Sequence, residues 1–191
     1  MLKAFSFNDY DLTDTQREFL KESIKNKKNI LITGNSQSGK TSFLNVCLDE
    51  LNNKDLRVVT ITDKDELVCP VLNTTKGLIN SEYSAVFLIQ AYLKMKPDYI
   101  ILDEIRGTND FFEILKAWNT GHSGIAVYPI TDLVKILYSY SRMDFEHDIF
   151  QILISNTLDI VIEVEDKKVK EIQEITEYDS ELKKGNYKKI I

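Results

Sequence analysis

The 191-residue chain is poor in the residues that punctuate or staple a fold: two cysteines, three prolines, seven glycines, one tryptophan and two histidines. Cys47 and Cys69 make neither a disulfide framework nor a metal cluster. They predict reduced thiols in a cytosolic chain, with Cys47 buried on a helix. No Pro-rich boundary, low-complexity linker or internal repeat divides the sequence, so residues 1–191 read as one domain. No apolar run is long enough to span a bilayer. Asp9, Asp11 and Asp14 interrupt the N-terminal stretch and exclude a signal peptide there. Basic charge is also short, with 24 Lys and Arg against 30 Asp and Glu, a net charge of −6. That balance argues against broad binding to nucleic acid, and no direct sequence-specific contact with it is expected. Hydrophobic residues at 43% and charged residues at 28% exclude wholesale disorder.

What is present alternates. Thr13 and Gln16 form a capping-box pattern that opens a helix running to about Lys25, whose basic end suits the helix dipole. Asn29–Thr33 is a short apolar strand, Lys40–Leu51 a helix, and Arg57–Ile61 a second, β-branched strand. A helix over Glu82–Met95 is apolar nearly all round and predicts deep burial. Pro97 ends it, and Tyr99–Leu102 is a third strand. A helix over Thr108–Trp118, a strand over Gly124–Val127 and a helix over Thr131–Arg142 follow. Phe145–Leu158 reads as a helix, and Asp159–Val164, a charged turn at Glu165–Lys168 and a strand from Val169 read as a hairpin. Strands alternating with helices imply crossovers and a mainly parallel sheet, an α/β fold. Lysines 183, 184, 188 and 189 read as a solvated tail.

The chemistry concentrates at two strand ends. Gly34-Asn35-Ser36-Gln37-Ser38-Gly39-Lys40-Thr41, followed by Ser42, leaves the first strand and opens a helix, which is the P-loop pattern. Backbone amides close around phosphate there, Lys40 reaches the β/γ-phosphates, and the Thr41 hydroxyl ligates Mg²⁺. The expected ligands are therefore ATP and Mg²⁺. Asp103 and Glu104 end the Tyr99–Leu102 strand in the manner of a Walker B pair. One carboxylate can hold Mg²⁺, for which Asp103 is the candidate, while the other activates water. Asp63, Asp65 and Glu66 follow the second strand and are expected at the same sheet edge. A lone histidine is more often structural, but the glycines flanking His122, read at that same edge, favour phosphate sensing as the alternative.

The order of these motifs resembles the type II/IV secretion ATPase superfamily, closest to its conjugal-transfer branch. Leu93–Asp98, Asp103–Gly107 and Ala117–Gly124 resemble its "LRMRPD…GE(I/V)RG…AWNTGH" run, and Arg57–Asp63 with Glu66-Leu67 its Asp box. The resemblance implies a RecA-like ATPase domain of a homohexameric ring, cytoplasmic and docked under the inner membrane through secretion or conjugation proteins. It makes Glu104 the Walker B glutamate, puts His122 in the His box, and makes Arg106 the arginine that follows the glutamate. Family members usually carry an N-terminal domain, whereas about thirty residues precede the P-loop here.

Several positions depart from the pattern. Thr62 stands where the Asp box has a glutamate, Ile130 where a second histidine stands, Gln37 replaces a P-loop glycine, and Asp103 replaces a glycine. Lys94 and Lys96 replace arginines and lose the planar bidentate fork. Missing a carboxylate and a histidine together implies slowed hydrolysis. Three readings stand: a motor ATPase, a nucleotide-gated assembly subunit with little or no hydrolysis, and a small P-loop kinase, for which arginines 17, 57, 106 and 142 are too scattered to make a lid.

Overall fold

The computed structural model describes residues 6–51, 55–131, 153–179 and 184–190. The elements, in chain order, are α1 (Asp14–Lys25), β1 (Ile30–Thr33), α2 (Lys40–Asp49), β2 (Arg57–Thr62), β3 (Asn73–Leu78), α3 (Ala85–Leu93), β4 (Tyr99–Leu102), α4 (Thr108–Asn119), β5 (Ser123–Tyr128), β6 (Ile160–Glu165), β7 (Lys168–Asp179) and β8 (Lys184–Ile190). The strands form one sheet in the order β3-β2-β4-β5-β1-β6-β7-β8. Neighbours from β3 to β6 pair in parallel, and β6–β7 and β7–β8 pair antiparallel. This is the mainly parallel, helix-flanked α/β sheet that the sequence implies.

Both faces of the sheet are covered, so its central strands carry apolar residues on both sides. Ile30, Ile32, Ile101, Ile125, Val127, Ile160 and Ile162 pack with α1 and α2 on one face. Leu31, Ile100, Leu102, Ala126 and Val161 pack with α3 and α4 on the other. The alternation is the period of two that an extended strand imposes. Helix α1 starts as read, with Thr13 Oγ1 accepting from the Gln16 amide and Gln16 reaching back to the Thr13 amide. Cys47 is fully buried on α2, and burial pushes its thiol up.

Three expectations change. Strand β3 was unforeseen: Asn-Thr-Thr-Lys-Gly-Leu has no apolar alternation, yet it pairs with β2 from Arg57↔Asn73 to Thr62↔Leu78 as an edge strand. Helix α3 is shorter than Glu82–Met95 and is only half-buried. Ser84 caps it, and Phe87, 50% exposed and stacked on Tyr83, faces solvent. The C-terminal hairpin gains a third strand, β8, so Lys184, Lys188 and Lys189 belong to a ladder and not to a tail. The helix expected over Thr131–Arg142 lies, apart from its first residue, outside the described residues. Of the one over Phe145–Leu158, 153–157 is helical and most of the rest is likewise outside them.

The N-terminal edge of the parallel strands is tied together by side chains. The Asn29 amide donates to Asp159 at 2.8 Å, its Nδ2 to the Thr157 carbonyl at 2.7 Å, and its Oδ1 accepts from the Gly124 amide at 3.0 Å. Ser123 Oγ donates to the Lys27 carbonyl at 2.7 Å. Asp98 takes the Lys27 ammonium at 2.7 Å and the Arg57 amide at 2.9 Å. These contacts leave the opposite, C-terminal edge for the loops that carry chemistry.

Candidate nucleotide-binding site

The loop from Gly34 to Gly39 leaves the tip of β1 and enters α2. Gly34 has φ +144°, and a Cβ on it would lie 2.1 Å from the Val164 carbonyl oxygen, so only glycine fits. Gly39 has φ +97° and stands at the N-cap of α2 with no side-chain cap, which leaves the first amides of the helix unspent. Gln37, at φ 63°, takes a left-handed backbone that a non-glycine residue adopts at a cost of about 1 kcal/mol. The Ser38 hydroxyl is buried without a hydrogen-bond partner among the described residues. Lys40 is buried, donates to the Asn35 carbonyl, and pairs with no carboxylate among the described residues. Burial lowers its pKa, partly offset by the nearby charge of Glu104. Free amides, an orphaned hydroxyl and an unpaired buried cation fit the oxygens of a polyphosphate.

Across from this cradle stand the tips of β2 and β4, adjacent in the sheet with Ile61 opposite Leu102. Asp103, 6% exposed, accepts from Thr41 Oγ1 at 3.2 Å on one oxygen and from Thr62 Oγ1 at 2.9 Å on the other. Burial raises its pKa above the ordinary carboxylate range. The two threonine hydroxyls oppose that shift, and the charges of Asp63 and Glu66 reinforce it. Among the described residues no group of three or more His, Cys, Asp or Glu gathers as a metal cage. A hydroxyl and a carboxylate beside a phosphate cradle fit Mg²⁺, which completes its shell from phosphate and water.

Glu104 is next along the chain but differently placed, 42% exposed at the cleft. Arg106 stands over it: Nε lies 3.4 Å from Glu104 Oε2, and Nη2 makes a close ion pair with Asp63. The Arg106 amide bonds Asp110 Oδ2 at 3.1 Å at the start of α4. Asp63 thus reaches the site, whereas Asp65 turns away to Lys76.

His122 does not belong here. It precedes β5, and β5 runs parallel to β1 with Thr33 opposite Tyr128. In a parallel sheet the residue before one strand lies at the edge opposite the residue after another, and a strand of six residues spans about 20 Å. His122 Nδ1 instead lies 2.8 Å from the Pro97 carbonyl, at the entry to β4. Ile130, after β5, is beside the loop: its carbonyl accepts from the Gly34 amide at 3.0 Å.

One further contact at the site has no counterpart in the sequence motifs. The turn joining β6 to β7 rests on the phosphate loop, with the Lys167 amide donating to the Ser38 carbonyl at 2.8 Å. The charged turn was visible in the sequence, but nothing local links it to a loop more than a hundred residues earlier.

The tie between Thr62 and Asp103 gives a direct expectation. Thr62→Val keeps the shape and removes the hydroxyl, leaving one oxygen of a buried carboxylate without its donor, a cost of about 1–3 kcal/mol. Thermal or urea unfolding measures it, and Thr62→Ser restores most of the loss. Equal stability of the valine variant would mean that the hydroxyl does not hold Asp103.

The model for the family described as type II/IV secretion system protein matches residues 2–183. The conjugal transfer protein TrbB of Rhizobium radiobacter is 26% identical over 176 residues, covering 87% of this chain and 54% of that protein. The type IV secretion system protein VirB11 of Bartonella quintana is 30% identical over 162 residues, covering 76% of this chain and 44% of that protein. Among solved structures, the VirB11 ATPase of Brucella suis aligns with a TM-score of 0.69 at 24% identity, over 76% of this chain and 46% of its own. The pilus retraction motor PilT, solved with bound ADP, aligns at 0.73 and 22% identity, over 85% of this chain and 48% of its own. At those identities the two structures establish the fold, the RecA-like P-loop architecture. The chain spans about half the length of the curated relatives it matches. With the family model covering nearly its whole length, the chain belongs to the type II/IV secretion system protein family.

Proposed function

We propose that residues 1–191 act as one nucleotide-binding unit, a Mg²⁺-dependent ATPase that powers a conjugal-transfer or type IV secretion apparatus. Asp103 carries this reading: its carboxylate bridges Thr41 of the phosphate loop to Thr62 of β2, so a hydroxyl and a carboxylate suited to a divalent cation stand together beside the cradle. The likeness to a motor solved with bound ADP supports a nucleotide as the ligand.

Lys40 and the amides from Gly34 to Thr41, with Ser42 on the same helix turn, hold the phosphates. Asp103 and Thr41 would hold Mg²⁺, which when bound would supply positive charge against the phosphates. Glu104 faces the cleft and takes the proton of the attacking water. Arg106 orients Glu104 and, tied also to Asp63, links its position to the β2 loop. In a ring of copies at the cytoplasmic face of the inner membrane, Arg106 would pass nucleotide state to the neighbouring subunit.

A second reading has a specific observation behind it. Thr62 and Ile130 put a hydroxyl and an apolar side chain at two positions beside the cradle, consistent with a subunit gated by nucleotide that hydrolyses little. The kinase reading loses support, because Arg17 is spent on Asp14 and Leu12 and Arg57 on the Met95 carbonyl, both away from the cradle.

The deciding experiment is calorimetric titration of the chain with ADP, paired with steady-state ATP hydrolysis in Mg²⁺ across protein concentrations. ADP binding that falls at least about tenfold in Lys40→Ala, with turnover that rises with concentration, supports the motor. Binding without turnover favours the gated subunit. No binding, or binding unchanged in Lys40→Ala, sinks both.

A further inference from the structure

The turn between β6 and β7 puts a cation beside the phosphate cradle. Asp166 and Lys167 have φ 49° and 60°, and Glu165 pairs with Lys168, so the two residues form a type I′ turn, whose twist matches the strands it joins. The turn is fixed in place by the Lys167 amide on the Ser38 carbonyl at 2.8 Å. Its side chain lies along the loop: Lys167 Cα and Cγ are 3.3 and 3.1 Å from where a Cβ on Gly39 would stand. Gly39 caps α2, so the stem of Lys167 runs past the amides that face a phosphate.

Four other cations near the cradle have protein partners. Lys40 bonds the Asn35 carbonyl, Arg106 is held by Asp63 and Glu104, Lys168 pairs with Asp11, and Lys170 pairs with Glu163 and Glu165. The Lys167 ammonium has no hydrogen bond or ion pair among the described residues.

Sheet order decides which part of a ligand it meets. The cradle sits at the tip of β1. On the side of β5, β4 and β2 stand Asp103, Glu104 and Asp63, the pole that draws a divalent cation. On the other side stands β6 and its turn. A polyphosphate across the cradle therefore has its metal-bearing end towards the acids and its other end towards Lys167.

We propose that Lys167 is a nucleotide-binding residue that contacts the α/β-phosphate end of a bound nucleoside di- or triphosphate. This rests on the nucleotide-binding reading above. Because the contact does not involve the γ-phosphate, it is the same for ADP and ATP. It acts as uniform binding, which changes Kd and KM and leaves kcat alone.

The test is calorimetric titration of the full chain with ADP, comparing Lys167→Met, which keeps the stem over Gly39, with Lys167→Arg, which keeps the charge. The expected result is about tenfold weaker ADP binding in the methionine variant, the order of one charge-assisted contact. The arginine variant stays within about threefold, and the nucleotide-free melting temperature is the same in both. ATP KM rises by the same factor, with kcat unchanged. ADP affinity in Lys167→Met equal to that of the unaltered chain overturns the inference. If the unaltered chain binds ADP and Lys40→Ala loses it, that failure is of Lys167 alone. If the unaltered chain binds no ADP, the nucleotide reading falls and takes this inference with it.

Discussion

Glu104→Gln is expected to lower ATP turnover by about 10²-fold or more while leaving ADP affinity within about twofold. A positioned general base is worth about 10²–10⁴ in rate, and the amide keeps the shape of the carboxylate but has no basic lone pair for the water proton. Glu104 suits this loss better than Asp103 does. Asp103 is buried and has both oxygens engaged by Thr41 and Thr62, whereas Glu104 stands half-exposed with its one ion pair among the described residues, to Arg106. The same substitution at Asp103 would disturb the metal end and so change affinity together with rate. Single-turnover hydrolysis beside ADP titration separates the two. Turnover unchanged in Glu104→Gln would remove Glu104 as the base and favour a gated subunit.

Gly34→Ala is expected to cost both stability and nucleotide binding. The added methyl carbon meets the Val164 carbonyl oxygen at 2.1 Å and Ser38 Oγ at 2.8 Å, and the φ of +144° is unfavourable to any side chain. Overpacking and a strained backbone each cost about 1–3 kcal/mol, and here they add. Relief requires β6 to draw away from the loop, which breaks the seat that Val164 and Lys167 give it. A melting temperature lower by several degrees, with weakened ADP binding, is the expected outcome in thermal unfolding and calorimetry. An alanine variant as stable as the unaltered chain would show that β6 and the loop are not packed as described.

These effects trace back unevenly to the sequence. The cradle was legible because it is local: glycines, a lysine and a threonine at fixed spacing between a strand and a helix. So were the capping box at Thr13 and Gln16 and the acids at the end of β4. Strand β3 was not, because an edge strand is held by its partner's backbone and needs no apolar alternation; Asn73–Leu78 has almost none. Helix α3 misled in the opposite sense, since an apolar run shows composition and not which side meets the sheet. His122 was assigned to the wrong edge although its order relative to β5 was correct. Strand direction, not spacing from a motif, decides which edge a loop occupies. The contact of Lys167 with Ser38 depends on β6 lying beside β1, a pairing that neither segment shows by itself.

The side-chain ties around Asn29, Asp98 and Asp159 hold β1, β2, β4, β5 and β6 at the N-terminal edge of the sheet, away from the cradle. The tips at the other edge are tied as well, by Thr41 and Thr62 on Asp103 and by the Lys167 amide on Ser38, but those ties run through the loops that meet a ligand. A ligand that rearranges them acts on the tips and leaves the root in register. Tightening a hydrogen bond between Thr41 and Asp103, or loosening the seat of the β6–β7 turn, changes the spacing of the tips without undoing the fold.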